Sequence, residues 1–235
     1  VEAFEVGVDD HIGKPFKPEL LRARLHPARR VIELQEDNDR QVLEKERLNR
    51  QLDIEKRKFK AAAMTDALTE LPNRRHALDR LEKQWANSAR GQGPFTVIMV
   101  DIDHFKAVND TWGHDIGDVV LQATSKVIAQ GLRKGDMCAR MGGEEFLVIC
   151  PNTGTEKGAL RVAERIRKAV EENEIRSGEY RGQVTISLGV ALATEDVPSI
   201  DALLKIADEA VYVSKDTGRN RVTIGRMPRD TRRSA

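Results

Sequence analysis

The chain has 235 residues, 40% hydrophobic and 33% charged, enough for one catalytic-sized domain plus an extension. Its formal net charge of +1 lacks the basic excess expected of a nucleic-acid binder. Apolar runs such as Val97 to Val100 are far too short to cross a bilayer, and the first residues lack a signal peptide's charged and apolar regions, so a cytoplasmic protein with no membrane contact is expected.

In chain order, residues 1–17 are too few to form a core. Gly7-Val8-Asp9-Asp10-His11-Ile12-Gly13-Lys14-Pro15-Phe16 resembles the last strand and Lys-Pro turn of a response-regulator receiver domain, with Lys14 at the phosphate-contacting lysine. The phosphoacceptor Asp of such a domain would lie upstream, so this stretch cannot take a phosphoryl group; an arbitrary Pro-containing loop is the plainer alternative. Residues 18–63 contain no glycine and only Pro27 after the start, while charged residues alternate with Leu25, Val31, Ile32, Leu34, Val42, Leu43, Leu48, Leu52 and Phe59. This composition predicts one long helix, or two broken near Pro27, reaching about 65 Å at the helical rise. The heptads are imperfect: the register through Leu34 and Leu48 meets Gln41 and Glu55, and that through Val31, Leu52 and Phe59 meets Asn38 and Lys45. Polar seam residues weaken a coiled coil but set its register, and a stalk that dimerises is expected over a solvated single helix.

Residues 64–225 carry the alternation of helix and strand signals of a single domain. Pro72 is predicted to stop the preceding helix and Asn73 to cap the next, through Leu78, Leu81 and Trp85. Phe95 to Val100 reads as a central strand ending in Asp101-Ile102-Asp103, whose two acids share a face of the extended chain. A polar loop from His104 leads to a helix with an apolar face of Ile116, Val119, Val120, Ala123 and Val127, and Asp118 reads as an acid near its N-terminus, placed for the dipole. Met137 to Met141 and Phe146 to Cys150 flank Gly142-Gly143, the signal of a tight hairpin whose turn needs φ > 0. Cys138 and Cys150 fall on these strands out of register with each other and are read as reduced core residues. An amphipathic helix follows from Thr155 to about Glu172, with Leu160, Ala163, Ile166, Ala169 and Val170 inward. Thr185 to Ala193 forms a strand. A helix capped by Ser199 runs to Gly218, then come a last strand at Val222 to Ile224 and a disordered tail over 226–235.

The hairpin is where the chemistry concentrates. Glu144 and Glu145 stand at the mouth of a buried strand, where ionised groups are costly unless a cation or donor meets them. Glycines beside paired acids let backbone approach a phosphate while the acids hold a neutralising Mg²⁺.

Gly142-Gly143-Glu144-Glu145-Phe146 resembles the signature of the GGDEF family, the diguanylate cyclases that make cyclic di-GMP from GTP. The resemblance extends to Asp66-Ala67-Leu68-Thr69-Glu70-Leu71-Pro72-Asn73-Arg74-Arg75 and to the closing Ala207-Asp208-Glu209-Ala210-Val211-Tyr212 through Lys215-Asp216-Thr217-Gly218-Arg219-Asn220, covering about Thr65 to Ile224. It implies an α/β domain like the palm of nucleotide cyclases and polymerases, with a mostly antiparallel central sheet flanked by helices. By the same resemblance, Mg²⁺ (or Mn²⁺) is held by Asp101, the Ile102 carbonyl, Glu144 and Glu145. Glu144 either completes the metal shell or helps deprotonate the ribose 3′-hydroxyl. Asn109 and Asp118 read guanine; Phe105, Lys106, Lys215 and Arg219 meet phosphates, with Gly142 and Gly143 forming the turn beside them. Arg133 and Asp136 form a product-binding inhibitory site, with Arg165 either a further contact there or a solvated helix charge.

The implied reaction joins two GTP across a homodimer built through stalk and catalytic domains, with cyclic di-GMP as product and inhibitor. Two alternatives stand beside it: a module binding GTP or cyclic di-GMP without turnover, and a structural dimeriser carrying the domain as a passenger. Another cyclase chemistry, on ATP, is disfavoured by Asp118.

Overall fold

The computed structural model describes residue 15 and residues 17–227. The receiver-like stretch with Lys14, and the tail beyond Met227, lie outside the described residues. The chain divides into two units, Val1–Lys60 and Ala61–Ala235.

The first unit carries one long helix. Helix α1 (Pro18–Ala62) runs unbroken through Pro27, so of the two alternatives the single helix holds. Its polar surface is laced with pairs one turn apart, such as Arg29 with Glu33 at 2.8 Å and Gln41 with Asp37 at 2.9 Å. Its apolar residues find no core: Val31, Leu34, Val42, Leu43, Leu48 and Leu52 are between 47% and 65% exposed.

The second unit is a layered α/β fold. Helix α2 (Arg74–Ala89) starts at Asn73, whose side chain accepts from the His76 N–H. Pro72 does not end α1, as the sequence suggested. The helix stops at Ala62, and 63–73 forms a turn closed by a bridge between Thr65 and Pro72. Strand β1 (Phe95–Ile102) lies at the centre of the sheet. The expected polar loop after it is itself helical: α3 (Phe105–Trp112) precedes α4 (His114–Gln130). The mixture of polar residues hid α3, because its one buried side chain is Phe105. Asp118 is therefore in the second turn of α4, and Asp115 is the first-turn acid.

Strands β2 (Met137–Gly142) and β3 (Glu145–Pro151) form the hairpin. Gly142 pairs with Glu145, so the two-residue turn is Gly143-Glu144 rather than Gly142-Gly143, with a bulge after Arg140. Helix α5 (Glu156–Glu171) is capped by Thr155 and buries Ala159, Val162, Ala163, Ile166 and Val170. Leu160, expected inside, is only half-buried, since the inward stripe runs one position earlier through Ala159. A small hairpin, β4 (Ile175–Ser177) and β5 (Tyr180–Gly182), was not foreseen; strands of three residues carry little periodicity. Then follow β6 (Ile186–Leu192), α6 (Ile200–Asp216) capped by Ser199, and β7 (Val222–Ile224). Arg226, assigned to the tail, instead donates to Glu156 at 2.9 Å.

The sheet order is β2-β3-β1-β6-β7, antiparallel except where β7 joins β6 in parallel. Alternation splits the core as the pleat requires. Ile98, Val100, Ile102, Phe146 and Val148 pack with α4 and α5 on one face; Phe95, Val97, Leu147 and Ile149 pack with α2 and α6 on the other. Cys138 faces Val148 across the hairpin and Cys150 faces Thr96, so the two thiols are out of register, buried and free. Gly189 matters here: a Cβ on it would lie 2.0 Å from the Ala207 carbonyl oxygen, so glycine lets α6 press against β6.

Candidate active site

The alternation that turns Val97 and Met99 toward the face covered by α6 also places Asp101 on that face, at the end of β1. Directly across β3 stands Glu145, in the pair Asp101 with Glu145. Facing residues of an antiparallel pair have Cβ atoms about 5 Å apart, so the two carboxylates are neighbours. The turn is tied to the same strand end, because the Glu144 carbonyl accepts from the Ile102 N–H at 3.4 Å. Gly142 (φ 149°) and Gly143 (φ 51°) supply the backbone this turn requires.

Asp101 is 6% exposed. Its Oδ2 receives Lys215 Nζ from α6 at 2.7 Å, while its Oδ1 is buried with no hydrogen-bond partner. Burial pushes its carboxyl above the usual range, Lys215 opposes that, and the charges of Glu144 and Glu145 push it further up. Three acids at one strand end with an orphaned oxygen among them are an electrostatic deficit that a hard cation would fill. Among the described residues no three His, Cys, Asp or Glu side chains converge closely enough to share an ion. The donor set nevertheless suits Mg²⁺, which takes few protein carboxylates and fills its shell with water and phosphate oxygens.

Asp103 shares the face of Asp101 but has a different task. It is 3% exposed, and its oxygens accept from Ser187 Oγ at 2.6 Å, Thr185 Oγ1 at 2.7 Å and the Asn220 N–H at 3.0 Å. It is saturated by protein donors where its neighbour is not.

The guanine-reading candidates come together between α3 and α4. A Cβ on Gly117 would lie 1.9 Å from Asn109 Oδ1, so the amide sits against the glycine; that oxygen is buried and unpartnered, and exposed Asp118 is the next residue. Trp112, 47% exposed, packs edge-on to Tyr180 at 5.4 Å, a contact the sequence did not suggest. Lys106 is exposed on the first turn of α3, whose N–H groups lack intrahelical acceptors. Phe105 is 7% exposed in the core, so only its backbone is available to a phosphate. Lys215 and Arg219 flank the end of α6, but only Lys215 reaches the acids in this structure.

Arg133, Asp136 and Arg165 also gather at one place. The Asp136 carboxylate accepts the Arg133 N–H at 3.1 Å, closing a turn that leaves Arg133 exposed, and Arg165 Nε donates to the Gly131 carbonyl at 2.9 Å. All three charges act on the buried Cys150 thiol, which burial above all pushes up to about 12.

Sequence reasoning passed over Arg140. Its Nε donates to the Gly143 carbonyl at 2.9 Å and its Nη1 to Asp66 Oδ1 at 3.1 Å, while its N–H donates to the Pro72 carbonyl at 2.9 Å. The segment after α1 is thus pinned to the hairpin turn. The offset of Arg140 two residues before the glycines was the available signal.

Comparison with known proteins places these features in a group. Residues 63–221 match the family described as "Diguanylate cyclase, GGDEF domain". The response regulator PleD of Caulobacter vibrioides is 38% identical over 224 residues, covering 94% of this chain and 46% of PleD. Diguanylate cyclase A of Treponema denticola is 44% identical over 140 residues, covering 60% of this chain and 38% of that protein. The chain thus spans less than half the length of these curated relatives. Among solved structures, the coiled coil and GGDEF domain of DgcB from Caulobacter crescentus, in complex with c-di-GMP, superposes with a TM-score of 0.69. It is 32% identical and covers 87% of this chain and 99% of that one.

Proposed function

From the premise that this chain belongs to the GGDEF diguanylate cyclase family, we propose that it condenses two GTP into cyclic di-GMP with release of two pyrophosphates. The observation that carries the proposal is the acid cluster of Asp101, Glu144 and Glu145 with its orphaned buried oxygen, set at the same strand end as Lys215.

Asn109 and Asp118 orient guanine: a carboxylate accepts from both N1–H and the 2-amino group, a donor pair adenine lacks. Lys215, Arg219, Lys106 and the first-turn amides of α3 receive the triphosphate, beside the glycine turn where no Cβ blocks its approach. Lys215 exchanges its contact with Asp101 for a phosphate oxygen. Asp101 and Glu145, which face each other across β1 and β3, would hold Mg²⁺, or Mn²⁺ with the same oxygen preference, together with the Ile102 carbonyl, and the ion would neutralise the triphosphate charge. The ribose 3′-oxygen of one GTP bonds to the α-phosphorus of the other, the bond from that phosphorus to the bridging oxygen breaks, and pyrophosphate leaves; the second closure repeats this. Glu144 either completes the metal shell or accepts the 3′-hydroxyl proton. Positioning and charge neutralisation account for most of such catalysis.

One domain holds half of this reaction centre, so two copies must face each other. The exposed apolar residues of α1 support a homodimer through the stalk, and the description of PleD as a response regulator supports reading residues 1–17 as the end of a receiver domain. Arg133, Asp136 and Arg165 provide a cationic surface for product inhibition, consistent with the c-di-GMP complex described for DgcB.

The test is chromatographic detection of cyclic di-GMP after incubation with GTP and Mg²⁺ over a range of protein concentrations, beside Glu145→Gln. Product whose specific rate rises with concentration and vanishes in the variant is expected. A folded chain that binds GTP yet yields no product at any concentration would overturn turnover by this chain, leaving a binding module or a cyclase whose stalk holds the half-sites apart.

A further inference from the structure

The turn between α6 and β7 holds an unusual backbone. Behind Gly218, two consecutive non-glycine residues, Arg219 (φ 61°) and Asn220 (φ 46°), sit in the left-handed region. L-residues visit that region singly and at a cost, and a pair persists only where the surroundings over-determine it. The over-determination is visible. Every hydrogen-bonding group of Asn220 apart from its carbonyl is engaged by a different partner: its backbone N–H donates to Asp103 Oδ2 at 3.0 Å, its Nδ2 to Glu171 Oε1 at 2.6 Å, and its Oδ1 accepts Arg167 Nη1 at 2.7 Å. Arg167 in turn grips Glu171 at 2.8 Å and Glu164 at 2.9 Å, while Ser187 and Thr185 hold Asp103. The Asn220 amide, then the Arg167 guanidinium, keep the Glu171 carboxyl below the usual range, so the network is charge-assisted.

This effort is spent on a turn whose neighbours are Arg219 and, one helical turn back, Lys215. We propose that Asp103, Asn220, Glu171 and Arg167 form a positioning network that fixes the turn after α6 and so aims Lys215 and Arg219 at the triphosphate, without touching substrate themselves. It follows that Asp103 is not a metal ligand although it stands two residues from Asp101: its oxygens are filled by three protein donors, whereas Asp101 Oδ1 has none. The inference rests on the triphosphate assignment above and adds the residues that make it geometrically possible.

Its signature is selective loss of phosphate recognition. GTP and GMP share the guanine contacts and differ in the phosphates that Lys215 and Arg219 meet. The experiment is calorimetric binding of GTP and of GMP, with Mg²⁺, to the full chain and to Glu171→Ala, Glu171→Gln and Asn220→Gly. Glu171 is a half-exposed helix residue whose loss spares the core, and glycine accepts φ > 0 freely, so neither change threatens the fold. We expect Glu171→Ala and Asn220→Gly to lower the ratio of GTP to GMP affinity about tenfold by weakening GTP alone. Glu171→Gln, which retains an acceptor for Asn220, should recover most of it, and the unliganded melting temperature should stay near that of the wild type. A ratio unchanged in both variants, or GTP and GMP weakened together, overturns the network's positioning role. A wild-type chain that binds GTP no better than GMP overturns the triphosphate assignment beneath it.

Discussion

Helix α1 and the folded unit that follows it are built from the same kinds of apolar residue with opposite outcomes. Leu43 in α1 is 65% exposed, whereas Leu147 in β3 is fully buried. The sheet satisfies itself: β1 is covered on both faces, and each face has its own helices. A single helix has no second layer, so its stripe stays in water until another surface covers it. The buried core therefore resides in one region, and the uncovered apolar residues in the other.

The contrast can be tested by substitution, beginning where the effect is greatest. Phe146→Ala removes a ring at 0% exposure and should cost about 4 kcal/mol of unfolding free energy in denaturant titration. A loss no greater than that of a surface change would break the comparison. Asp66→Asn removes the charge from the ion pair that helps hold the segment after α1 to the hairpin turn, at about 2 kcal/mol. Burial pushes the Asp66 carboxyl up, but hydrogen bonds from Thr69, with Arg140, outweigh it and leave it below its usual 3.8. Its folded pKa is depressed, so its contribution is present above pH 3.8 and lost as pH falls through the lower folded value. The stability gap between wild type and Asp66→Asn should accordingly close below about pH 4, measured by thermal melts across pH.

Asp118→Ala separates function from stability within the folded unit. This exposed residue should leave the melting temperature within about 1 °C, while the preference for GTP over ATP falls at least about tenfold. An unchanged ratio in competition binding would remove Asp118 from the guanine site. The smallest effect belongs to the stalk: Leu43→Ala should shift unfolding by no more than about 0.5 kcal/mol, yet weaken self-association in sedimentation equilibrium. If it instead destabilised the folded unit, the separation of the two roles would be wrong.

Much of the fold was legible because its signals are local. Asn73 and Ser199 cap the helices the sequence assigned to them, and Thr155, read as a first helical residue, is a cap as well, each side chain accepting from the N–H three residues on. Strands β1, β3 and β6 read correctly because buried strands are continuous apolar runs. Helix α3 and the β4–β5 hairpin did not, since one buries a single side chain and the other has three-residue strands. The site divided in the same way. Asp101, Glu144 and Glu145 announced themselves as costly charges beside a core, whereas Arg140, Asp103 and Asn220 resembled ordinary polar residues until their partners 74, 84 and 49 positions away were in place.

By itself, then, the sequence determined the longer helices and strands, the long charged stalk and the presence of a glycine-acid hairpin, because each depends on residues within a few positions. Only the tertiary structure decided that Asp101 keeps an empty oxygen while Asp103 has none, that Lys215 pairs with Asp101, and that Asn220, in the turn after α6, donates to Asp103. A carboxylate's role depends on which donors reach it, and those donors arrive from β6, α6 and the turn after α6, brought together by burial of apolar surface on both faces of the sheet.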